Sequence, residues 1–128
     1  MTSPAMRARY LNDSIATASP ARLLVMLYER LVVDLSQAET ALGAGDRETA
    51  DDRLKHAQEI VIELRTSLRL DLWEGATDLA RIYGFLLGEM ISANIRADVE
   101  KVVSCRKLVE PLLDAWRQAS LISAEPAA

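Results

Sequence analysis

The sequence is short of the residues that most often carry chemistry or punctuate loops. Its 128 residues hold one cysteine, Cys105, and one histidine, His56. A lone thiol excludes an internal disulfide and suits a reducing compartment. A lone imidazole excludes the di-iron bundle sites that take histidines from two helices. His56 shares a helical face with Glu59 and Glu63, and is expected to be solvated or to pack between helices. Glycines number five and prolines four, so loops must be few and short. No glycine-rich phosphate loop follows a strand, because no strand pattern appears. The longest apolar run, Leu23 to Tyr28, is six residues, too short to span a bilayer. Met1 to Asp13 sustains no apolar run of the kind a secretory signal needs. The expectation is a soluble, cytoplasmic protein without catalytic residues, metal or cofactor.

Charge narrows the classes further. The net charge of −4 argues against a general nucleic-acid role. Residues 1 to 33 carry four arginines against Asp13 and Glu29, a local +2 that leaves −6 for the remainder. A solvated basic arm accounts for that asymmetry.

What the chain does have is aliphatic. Half of its residues are apolar, yet only six are aromatic. Few loop formers and much leucine, alanine, valine and isoleucine predict long helices. Residues 1–18 mix polar residues with isolated Met6, Tyr10, Leu11 and Ile15, which predicts an arm. Ser19-Pro20 is a helix start: the serine hydroxyl accepts from an early amide, and proline fits the first turn. The first helix is expected from Pro20 to about Leu42, with an inward stripe of Leu24, Leu27, Leu31, Leu35, Ala38 and Leu42. A second stripe of Val25, Val32 and Val33, edged by Met26, is more apolar surface than one core consumes. Gly43, as a left-handed cap, and Gly45 end this helix.

Asp46 caps a second helix to about Leu68. Its apolar residues Ala50, Leu54, Ala57, Val61, Leu64 and Leu68 step by four and three, a heptad seam. Ile60 and Ile62 broaden it. Trp73, in the apolar connection Arg69 to Gly75, is expected to pack across the bundle end, with a partner contact as the alternative. A third helix, Glu74 to Ile95, turns Leu79, Ile82, Leu86, Met90 and Ala93 inward with Tyr83 alongside, and leaves Phe85, Leu87 and Ile91 outside. Asn94 is expected to break or cap it. Asp98 opens a fourth helix to about Ser120, with Val102, Cys105, Val109, Leu112, Trp116 and Ala119 on one face. Pro111 lies inside it and Cys105 on its inward face, where an inert buried thiol is expected. Residues 121–128 are expected to form a flexible tail. The fold class predicted is all-α: an antiparallel up-down-up-down four-helix bundle over residues 19–120 with an N-terminal arm.

An ordered set of residues along this pattern resembles the FliS family of flagellar secretion chaperones. The set comprises Tyr10, Asn12, Ser14-Ile15, Thr17-Ala18-Ser19-Pro20 and Met26-Leu27-Tyr28. It continues through His56-Ala57-Gln58-Glu59-Ile60, Glu63-Leu64, Tyr83, Ala93-Asn94-Ile95, Asp98 and Asp114 to Ala119. The chain departs from the family at Glu29-Arg30, where an acidic or amide residue and a glycine are usual, and at Gly84, Gly88 and Pro111. The resemblance implies a four-helix bundle. It also implies a cytoplasmic role: holding the disordered C-terminal segment of flagellin, blocking premature polymerisation and presenting the subunit to the export gate. Some members also contact an anti-sigma factor. The alternative functions are therefore a regulatory module that sequesters such a factor and a self-associating bundle, with monomer and weak dimer both open.

Resemblance and surplus apolar surface together give candidate flagellin contacts. They are Val25, Val32, Val33, Ile60, Phe85, Leu87 and Ile91, with Tyr28 and Tyr83 adding a hydroxyl. Short amphipathic helices of the client would lie in grooves lined by these side chains. Tyr10, Leu11 and Ile15 of the arm either occupy the groove until cargo displaces them or simply cap the bundle.

Overall fold

The computed structural model describes residues 19–71 and 73–124, and these form four helices. They are α1 (Pro20–Gly43), α2 (Arg47–Ser67), α3 (Gly75–Arg96) and α4 (Val99–Ala124). Three of the four starts have a capping side chain; α3 starts after Glu74 without one. The Ser19 hydroxyl accepts from the Arg22 amide at 3.1 Å, and Pro20 occupies the first turn. Asp46 accepts from the Thr49 amide at 3.1 Å, and Asp98 from the Glu100 amide at 3.0 Å. Each side chain satisfies an amide that the helix itself leaves unpaired.

The helices form a ring in which α1 lies between α2 and α4, and α3 closes the opposite side against the same two. Short connections make neighbours antiparallel, so the up-down-up-down bundle holds. The core contains Leu31, Leu35, Leu54, Val61, Leu64, Leu86, Met90, Val102, Cys105 and Val109. Arg106 of α4 donates to Glu39 of α1 at 2.9 Å, and Asn94 of α3 to Asp51 of α2 at 2.7 Å.

Several expectations are corrected. The left-handed residue after α1 is Gly45, with φ +74°; Gly43 still belongs to the helix. Asn94 does not end α3, because its side chain is taken up by Asp51 and the helix runs on to Arg96. The α3 cap is Ala97, left-handed at φ 52°. Residues 121–124 continue α4 as helix. In α1 the buried stripe is Val25, Tyr28, Leu31, Asp34, Leu35, Ala38 and Ala41, whereas Leu24, Leu27 and Leu42 are half-buried. Apolar residues cover nearly every side of the first turns, so hydrophobicity alone does not fix the phase of the stripe. The buried charge of Asp34 points that phase the wrong way.

Candidate functional site

The candidate site is what remains apolar once the core is filled. α1 contributes most of it. On its α2 side, Leu23, Met26 and Leu27 line a groove whose walls carry Arg30 and Glu63. On its α4 side, Pro20, Ala21, Leu24, Trp116 and Ala119 line a second groove. Both grooves follow the first turns of α1, at the end of the bundle where residues 1–18 join the chain. A separate cleft near the α1–α2 turn is walled by polar side chains, among them Ser36, Gln37, Thr40 and Thr49, and is chemically unlike them.

The residues singled out from sequence separate into two groups. Phe85 is 55 % exposed, Ile91 46 % and Val33 40 %, while Val32 and Leu87 are half-buried. These present apolar surface as expected. Val25, Tyr28, Ile60 and Tyr83 do not: all four are core residues. Ile60 turns inward with the heptad seam, and both tyrosines point between helices, so these three line no surface groove among the described residues, whereas Val25, nearly buried, reaches the surface only at the floor of a cleft walled by Arg22, Arg117, Ser120 and Leu121. Val33 and Phe85 lie on diagonally placed helices, and the exposed candidates therefore do not share one groove. Tyr10, Leu11 and Ile15 lie outside the described residues. The sequence pattern puts Met26 only at the edge of the surplus stripe, gives Leu23 no part in a groove, and turns Leu24 and Leu27 inward, where the structure leaves them half-buried. Leu23, Met26, Leu27 and Arg30 recur at three- and four-residue spacing, a stripe visible in the sequence but competing with the others.

The aromatic residues connect core and surface. The Tyr28 and Tyr83 hydroxyls share a 2.5 Å hydrogen bond within the interior. Burial raises the Tyr28 phenol above its ordinary value, against a smaller opposing effect of the bond to Tyr83. Burial raises Tyr83 further, and its bond to Tyr28 adds to the rise. The Tyr28 ring lies 6.3 Å from that of Trp116, which lies 6.4 Å from Trp73 in an edge-on contact. Trp73 thus packs across the bundle end as expected, yet remains 53 % exposed. Its ring lies over Gly75, where a Cβ would meet ring atoms at 2.3–2.8 Å.

Two further groups are settled by their surroundings. Cys105 is fully buried, and desolvation, aided by Glu89, pushes its thiol up to about 12. A thiol so placed holds its proton and is no nucleophile. Asp34 is fully buried and meets three basic groups: His56 Nδ1 at Oδ2, with Arg30 at 3.0 Å and Arg53 at 3.5 Å from Oδ1. His56 therefore packs between α1 and α2. Among the described residues, no cluster of three or more His, Cys, Asp or Glu side chains is placed to hold a metal ion. No described helix is long and apolar enough to cross a membrane.

Comparison with known proteins gives a consistent result. The family model described as flagellar protein FliS matches residues 1–123. The chain is 29 % identical over 110 residues to the flagellar secretion chaperone FliS of Bacillus subtilis, covering 86 % of this chain and 82 % of that one. It is 27 % identical over 113 residues to the FliS of Salmonella typhimurium, covering 86 % and 83 %. A bacterial flagellar chaperone crystal structure shares the fold, with a TM-score of 0.73 at 23 % identity, over 91 % of this chain and 97 % of that one. The curated relatives carry the name of a chaperone and not of an enzyme.

Proposed function

Because the chain belongs to the FliS family, we propose that it binds the disordered C-terminal segment of flagellin in the cytoplasm, blocks premature polymerisation and delivers the subunit for secretion. The observation that carries this reading is the pair of apolar grooves along the first turns of α1. A segment that folds on binding loses several kcal/mol of conformational entropy. Each aliphatic side chain it buries returns ~1.5–3 kcal/mol, so a handful of contacts offsets the ordering. Short amphipathic client helices rest on Leu23, Met26 and Leu27 on one side of α1 and on Leu24 and Trp116 on the other. Val32, Val33, Phe85, Leu87 and Ile91 offer further contacts around the bundle. Val25, Tyr28, Ile60 and Tyr83 act from inside, by setting where the groove walls stand.

The arm belongs to the same proposal. Both grooves lie at the end of α1 that begins at Ser19, and the proposal gives Tyr10, Leu11 and Ile15 the part of covering apolar surface until the client displaces them. Titration of the chain with a peptide of the flagellin C-terminal region tests the main reading. Saturable heat and a gain in helicity are expected; no heat and an unchanged circular dichroism spectrum would end it. Removal of residues 1–16 is expected to tighten binding. Unchanged or weaker affinity would contradict the arm's part.

A further inference from the structure

The groove between α1 and α2 has walls of opposite charge. Arg30 stands on the α1 wall and Glu63 on the α2 wall, with Leu23, Met26 and Leu27 between them. Arg30 is drawn toward its own helix by charge. Its guanidinium lies 3.0 Å from the carboxylate of Asp34, one turn further along α1 and fully buried. From α2, His56 and Arg53 approach the same carboxylate. The Asp34 carboxylate therefore faces two guanidinium groups and an imidazole, and of these Arg53 also pairs with Asp52 on its own helix. The Oδ1 atom facing Arg30 makes no hydrogen bond of good geometry, so charge holds Arg30 while its N–H donors stay available. The Arg30 side chain is 44 % exposed. The neighbouring Glu29 does not neutralise it, because Glu29 pairs instead with Arg22 and with Arg117 of α4.

We propose that this groove selects its partner by charge. It accepts an amphipathic helix whose apolar stripe rests on Leu23, Met26 and Leu27, with an acidic side chain turned to Arg30 and a basic one to Glu63. Asp34 is the positioning residue that keeps Arg30 at the rim. The inference rests on the client-binding reading above and adds which helices the groove takes. A client carboxylate gives the Arg30 guanidinium a planar two-oxygen acceptor that a buried, shared Asp34 does not supply. A lysine at the same client position would face Arg30 as a like charge, and such repulsion discriminates more strongly than the favourable pair attracts.

The test uses the full chain and the C-terminal segment of flagellin from the same organism, with variants of the segment in which each acidic residue in turn becomes lysine. Affinities are measured by calorimetry at low and high salt, alongside a melting curve for each protein variant. One lysine variant is expected to bind the unmodified chain at least about tenfold more weakly than the parent segment. Arg30→Gln is expected to narrow that gap to about twofold and to flatten the salt dependence. Glu63→Lys is expected to create a matching penalty for a basic residue of the client. If all lysine variants bind the unmodified chain alike, or Arg30→Gln leaves the gap intact, charge selection is overturned while client binding stands. If the parent segment does not bind at all, the client reading fails and takes this inference with it.

Discussion

The Tyr28 hydroxyl lies 2.5 Å from the Tyr83 hydroxyl, joining α1 to the diagonally opposite α3 through the middle of the core. Both side chains are essentially without solvent contact, so each hydroxyl has the other in place of water. Removing one partner strands a buried polar group, whereas removing both does not. Tyr83→Phe is therefore expected to destabilise the bundle by ~1–3 kcal/mol. The double variant Tyr28→Phe with Tyr83→Phe should lie closer to the parent than Tyr83→Phe alone. Urea unfolding of the three proteins checks this, and a double variant that loses the sum of two large effects would contradict it.

Cys105 makes stability depend on alkaline pH. Burial raises its thiol from 9.0 in the ordinary state to about 12 in the fold. Above pH 9 the unfolded chain releases this proton while the folded chain keeps it, so the unfolded state gains and stability falls as pH rises. The contribution is whole below pH 9 and is lost progressively toward pH 12. Tyr28 and Tyr83, both raised from 10.0, act in the same direction at somewhat higher pH. Cys105→Ala is expected to show a shallower loss of stability between pH 9 and 10 than the parent. Equal slopes would contradict the buried-thiol account.

Gly75 makes room for Trp73. A methyl group there would occupy the space of the indole ring, so Gly75→Ala should drive Trp73 off its edge-on contact with Trp116. The near-ultraviolet circular dichroism and the tryptophan emission are expected to change, with helix content nearly intact. Spectra identical to the parent would mean that Trp73 does not rest on Gly75.

Gly84 and Gly88 stand one turn apart on the exposed side of α3, and a Cβ at either would meet nothing within 4 Å. Glycine inside a helix costs about 0.5–1 kcal/mol relative to alanine. Gly84→Ala and Gly88→Ala are each expected to stabilise the chain by about that amount. A loss of stability in thermal unfolding would show that these positions are already in contact.

The elements of this fold were legible because their signals are local. Ser19-Pro20, Asp46 and Asp98 mark helix starts by capping chemistry, and the seam of α2 has a period that admits one inward face. The face of α1 was not legible, since Leu23 to Tyr28 is apolar all round and only neighbouring helices decide which side is covered. Asp34 was missed for a related reason. A carboxylate reads as solvent-facing until Arg30, Arg53 and His56, two of them on another helix, are seen around it. The grooves share the ambiguity: the sequence pattern puts the valines on the surface stripe and Leu24 and Leu27 in the core. The structure buries Val25, half-buries Val32 and leaves Leu24 and Leu27 at the groove walls. Surplus apolar surface could be inferred from the sequence; its location required the packing.

The central claim is that the apolar surface flanking the first turns of α1 is where the client docks. A methyl-resolved NMR titration of the chain with the flagellin C-terminal segment tests it most directly. Methyl signals of Leu23, Met26 and Leu27 are expected to shift or broaden in step with binding, while those of buried Leu54 and Val61 change little. Binding that leaves the Leu23, Met26 and Leu27 signals in place and perturbs only methyls elsewhere would contradict the account.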